Sequence, residues 1–71
     1  MRHINANLSD IFFNHDFYSA GAIDTRADGP EYDRNIMVAE AETLLAQLRA
    51  LGADVGGVTP AELVEDFFSR L

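Results

Sequence analysis

Residues 30–51 read PEYDRNIMVAEAETLLAQLRAL, and this stretch decides the fold. Met37, Ala41, Leu44, Leu48 and Leu51 recur at spacings of four, three, four and three, which places them on one face of an α-helix. Val38 and Leu45 flank that line and widen the apolar stripe. Pro30 suits the first helical turn because its missing N–H costs nothing there, with Asp28 or Gly29 as cap. Glu31 and Asp33 then face the positive end of the helix dipole. Gly52 can take the left-handed conformation that ends a helix. At 1.5 Å per residue the expected helix is about 33 Å long.

Downstream, residues 59–71 read TPAELVEDFFSRL. Thr59 is a helix cap, Pro60 occupies the first helical position, and Glu62 completes a capping box. Val58 is placed to staple against Leu63. Leu63, Val64, Phe67, Phe68 and Leu71 share one stripe, and Asp66 is spaced to pair with Arg70. The connector Gly52–Val58, GADVGGV, is too short and too glycine-rich for an element of its own.

Upstream, Leu8–Tyr18 carries a third helical pattern, with Asn7 or Ser9 as cap and Asp10 in the first turn. Leu8, Ile11, Phe12 and His15 align, and Phe13, Phe17 and Tyr18 broaden the face. A strand is the rival reading of IFFNHDFY, but adjacent Phe12 and Phe13 break the alternation a half-buried strand needs. Ser19–Gly29, SAGAIDTRADG, is turn-forming, with Ala22 and Ile23 tucked back onto the core. The fold expected is therefore all-α: one small domain over 1–71, with three helices, a long central one at about 30–51 and a capped C-terminal one at about 60–71.

Size sets the next constraint. A 71-residue chain buries only ~60% of the surface it would expose when unfolded. Cysteine is absent, so disulfides and thiolate zinc sites are excluded as staples. Association with a second chain is the common device that remains, and the central helix offers more apolar length than a short first helix can cover. A homodimer burying Met37, Ala41, Leu44 and Leu48 is the expected quaternary state.

Twelve acidic residues against five basic ones give a formal charge of −7. The basic residues are all arginines, scattered singly at 2, 26, 34, 49 and 70, without the clustering that phosphate contacts need. Direct nucleic-acid binding is not expected. An acidic surface favours a basic protein partner, and it also simply favours solubility. MRHINANLSDIFF lacks the apolar core of a signal peptide, and no stretch approaches a membrane span of ~20 residues. A reducing cytoplasm fits the cysteine-free composition.

Chemical motifs are weak throughout. Asp24–Asp33 superficially follows a calcium loop at Asp24, Asp28 and Gly29, but Arg26 and Asn35 stand where ligand oxygens are wanted. His3, Asp10, His15 and Asp16 have no metal-binding spacing. Ser9, Ser19 and Ser69 lie outside any nucleophile elbow, and Gly52–Gly57 lacks the Lys and Ser/Thr of a phosphate loop. Residues 44–55, LLAQLRALGADV, continue as Asp54-Val55-Gly56, without the serine on which a carrier module's prosthetic group would be attached. Neither enzyme activity nor a metal, cofactor or small-molecule substrate is expected.

What remains is protein binding. The interface candidates are Phe13, Phe17, Met37, Ala41, Leu44, Leu48, Leu63, Phe67 and Phe68, since aromatic and large aliphatic side chains supply interface anchors. Adjacent Phe67 and Phe68 point about 100° apart on a helix, so one small core is hard pressed to bury both. Tyr32 stands apart from the other aromatics and is expected at the surface. The leading function is a non-enzymatic regulator or inhibitor acting through apolar helical faces and an acidic surface, one version being a mimic of nucleic acid. The alternative is a docking module of a larger assembly, with Leu63, Phe67 and Phe68 on its C-terminal helix as anchors.

Overall fold

The computed structural model describes residues 4–24 and 31–71. Three helices pack around one core: α1 (Ala6–Phe13), α2 (Arg34–Ala50) and α3 (Pro60–Ser69). Between α1 and α2 lies a minimal antiparallel pair, β1 (Ile23–Asp24) and β2 (Glu31–Tyr32), in the register Ile23 to Tyr32 and Asp24 to Glu31. The proposed caps Asp28 and Gly29, with Pro30 and most of the calcium-like loop, fall outside the described residues.

The central helix starts later than its sequence pattern indicates. Glu31 and Tyr32 belong to the strand pair, and the Asp33 N–H donates to the Ala22 carbonyl at 2.8 Å. Asp33 itself is extended, and its side chain accepts from the N–H groups of Asn35 and Ile36. It is therefore the cap, and α2 has 17 residues, about 26 Å, rather than 33. At the other end the Ala53 N–H reaches the Leu48 carbonyl at 2.9 Å and the Gly52 N–H reaches Arg49 at 3.0 Å. This is a Schellman closure, with Gly52 at φ 84° as expected.

The first helix is shorter and shifted. Its cap is Asn5, whose side chain accepts from the Asn7 N–H at 2.8 Å, not Asn7 or Ser9. The helix stops at Phe13 because Asn14 and Asp16 draw the backbone into turns. The Asn14 side chain donates to the Asp10 carbonyl, and Asp16 accepts from both the N–H and the hydroxyl of Ser19. Those two bonds, the hydroxyl one foremost, hold the Asp16 carboxyl below the usual aspartate range. The turn brings Phe17 back against Phe12, with centroids 5.1 Å apart and rings nearly perpendicular. Tyr18, expected to close the apolar face, points to solvent instead.

The third helix begins as its sequence indicates. Thr59 and Glu62 form the reciprocal capping box, at 3.0 and 3.2 Å, and Pro60 fills the first position. Val55 and Val58 from the connector are buried, as is Leu63. Leu71 lies past the last α-turn and is exposed.

The core is Leu8 and Phe12 from α1, Phe17 and Ala22 from the turn, Met37, Ala41 and Leu45 from α2, the two valines, and Leu63, Val64 and Phe67 from α3. α3 packs across both α1 and α2 and is the element that covers the central stripe. Phe67 is the hub, meeting Phe12, Phe13, Phe17, Tyr32 and Phe68 at centroid distances of 5.2–6.1 Å. Tyr32 joins this cluster because the strand pair carries it over α3, which corrects its expected isolation.

Candidate interaction surface

The nine interface candidates divide by placement. Phe17, Met37, Ala41, Leu63 and Phe67 are buried inside a single chain, Met37 and Ala41 with no exposed surface at all. The homodimer face drawn through Met37 and Ala41 is thus occupied within the chain by other residues. The surplus of apolar length inferred for the central helix left out α3 and the two connector valines. Phe13, Phe68, Leu44 and Leu48 are half-buried and pack against the core.

Phe13 and Phe68 carry covers of their own. The Arg70 guanidinium lies 4.4 Å from the Phe13 ring centroid and donates to Asp10 at 2.9 Å and to the Ser9 hydroxyl at 3.0 Å. Ser9 in turn donates to Asp66. This clasp fastens the middle and end of α1 to the end of α3, and it replaces the expected Asp66–Arg70 pair. On the other side, Arg34 from α2 lies 4.2 Å from the Phe68 centroid and pairs with Glu65. Each cation over a ring at the surface contributes roughly 0.5–1 kcal/mol and shields the ring from water. Glu65 is one half of that second clasp.

Among the described residues no arginine covers Leu44 or Leu48. Leu48, Leu44 and Leu51 lie on one side of Ala41, the centre of the buried stripe, about 20°, 60° and 80° round the helix from it. Leu51 is 82% exposed, against the expectation that it packs. It is the C-terminal cap, and the Gly52 turn carries the chain away, so that Val55 rather than Leu51 closes this end of the core. Ile11 of α1, 46% exposed, stands across from Leu48. A shallow depression of about 170 Å³ between them is lined by Leu8, Ile11, Leu48, Ala53, Asp54 and Val55 together with Asn5 and Asn7. Ile11 and Leu51 were absent from the interface candidates. The signal that could have found Leu51 is its place beside the terminating glycine, where a helix stripe loses its partner.

The charged groups are accounted for in the same geometry. His15, half-buried, stacks on Phe12 and sits 3.6 Å from Glu40 of α2. Asp10 faces Arg70 and Asp16 faces Ser19, so the possible acid–base grouping of His15 with these residues is not assembled; His3 lies outside the described residues. Among the described residues no group of three or more His, Asp or Glu side chains is arranged to hold a metal ion. None of the described helices is long and apolar enough to cross a membrane. Comparison with protein-family models, with curated proteins and with solved structures finds no match.

Proposed function

We propose that this chain is a non-enzymatic, cytoplasmic protein-binding domain, a regulator or inhibitor that engages a partner through an apolar helical flank set in an acidic surface. The observation that carries the reading is the leucine flank of α2, half-buried at Leu44 and Leu48 and 82% exposed at Leu51, in a domain whose half-buried Phe13 and Phe68 are shielded by arginines. An apolar stripe at helical spacing, left open and edged by polar groups, is the pattern of a docking face. A formal charge of −7 adds long-range attraction for a basic partner. The alternative docking module anchored by α3 has less support, because Leu63 and Phe67 are already engaged in the core.

The test is affinity capture from the native host, repeated between about 50 and 500 mM salt, where the screening length falls from above 10 Å to a few ångströms. Capture that weakens with salt yet persists at the upper end is expected, since the apolar flank carries affinity and charge carries steering. Failure to retain any saturable protein partner at either salt would overturn the proposal. Deleting residues 60–71 separates the two readings. Unfolding is expected; a truncated chain that stays helical and loses its partner would favour the docking module.

A further inference from the structure

The leucine flank of α2 is half-buried along most of its length and opens to water at Leu51. It runs as Glu40, Leu44, Leu48, Leu51 along three helical turns, about 16 Å from first to last. Asp54 stands beyond its far end, in the wall of the depression that Ile11 and Leu48 share. The strip is therefore apolar along its length and carboxylate at both ends. The described cations are directed elsewhere: Arg34 and Arg70 are held over Phe68 and Phe13, and Arg49 projects about 160° round the helix from Leu51. Among the described residues the basic group beside the strip is His15, at 3.6 Å from Glu40.

We propose that this seam between α1 and α2 is the docking site, and that its occupant is an amphipathic helix with lysine or arginine beside its apolar stripe. The inference rests on the protein-binding reading above and adds the surface and the partner chemistry. Length argues for a helix, since the leucines recur at the spacing that a second helix meets with its own apolar positions at i, i+3/i+4 and i+7. Charge argues for a basic one, since carboxylates terminate both ends of the strip and an acidic helix would meet like charge there.

The probe is a synthetic helical peptide of about four turns with leucines on one stripe and lysines beside it, matched by a version with glutamates for lysines. Binding to the full, isotope-labelled chain is followed by NMR. The lysine peptide is expected to shift the methyl signals of Ile11, Leu44, Leu48 and Leu51, and the glutamate peptide is expected not to bind. Leu51→Asn, at a site already open to water, should weaken the lysine peptide roughly tenfold or more, the equivalent of losing a buried leucine. Glu40→Gln and Asp54→Asn each keep an acceptor oxygen and remove a charge; together they should weaken it severalfold and flatten its salt dependence. Shifts centred on the outer face of α3, or binding indifferent to Leu51→Asn, would overturn the seam. Equal binding of both peptides would overturn the basic partner. Peptide-free shifts at the seam that grow with protein concentration would assign it to a second copy instead. If a host protein is captured equally by the wild-type and Leu51→Asn chains, the seam is wrong while the protein-binding function stands; if neither chain captures one, that function fails.

Discussion

Replacing Phe67 by alanine should do far more damage than replacing Glu65, although the two are neighbours on α3. Phe67 is 5% exposed and forms the centre of the aromatic cluster, with Phe12, Phe13 and Phe17 on one side and Tyr32 and Phe68 on the other. Truncating such a ring costs about 3–5 kcal/mol, since the surrounding side chains relax only partly into the space. A domain of 71 residues has a total stability of roughly 4–11 kcal/mol, so Phe67→Ala removes about a quarter of it at least. Glu65 is exposed and pairs with an exposed Arg34, which limits its contribution to about 0–1 kcal/mol. For a domain of this size each kcal/mol moves the melting temperature by about 4–8 °C. Thermal unfolding followed by far-ultraviolet circular dichroism should therefore show a drop of more than about 12 °C, or no cooperative transition, for Phe67→Ala. Glu65→Ala should move the midpoint by less than about 8 °C. Comparable small shifts from both would refute the placement of Phe67 at the centre of the core. A large effect of Glu65→Ala alone would show that the Arg34 clasp, not the ring cluster, fastens α3.

Two adjacent leucines of α2 should differ sharply: Leu45→Ala, at 1% exposure, is expected to cost about 2–5 kcal/mol, and half-buried Leu44→Ala markedly less, as read from urea unfolding. Gly52→Ala should destabilise by about 1–2 kcal/mol, since a Cβ at φ 84° strains the Schellman closure although no neighbour crowds it; a neutral result in the same assay would refute that closure. Asp16, whose carboxyl is held below its ordinary 3.8 by the Ser19 bonds, stabilises the fold above that pH and loses its contribution as the pH falls through the lower folded value. The carboxyl carbon of Asp16 should accordingly titrate in NMR with a midpoint below 3.8, and Ser19→Ala should raise that midpoint.

Local signals in the chain were legible where one residue satisfies its near neighbours. Thr59, Pro60 and Glu62 start a helix by bonds within four residues, and Gly52 ends one by its own backbone freedom; both hold in the fold. The same logic misread the start of α2. Glu31 and Tyr32 satisfy a helical pattern, yet their backbone groups pair with Asp24 and Ile23, seven and nine residues upstream, and no periodicity within 30–51 contains that information. Ser9 has the chemistry of a cap, but its hydroxyl is drawn to Asp66, 57 residues away.

The surface followed the same division. Periodicity alone determined that Met37, Ala41, Leu44, Leu48 and Leu51 share one side of a helix, because that depends only on the rise and turn of the backbone. Which of them are covered depends on where α3 and the connector valines lie, and only the tertiary structure decided it. Met37 and Ala41 disappear, Leu44 and Leu48 remain half open, and Leu51 stands in water. The arginine covers on Phe13 and Phe68 were likewise invisible to sequence, since each brings together residues from different helices. A stripe is a property of one helix and is written in its spacing; a buried stripe is a property of two elements, and it exists only once the chain has folded back on itself.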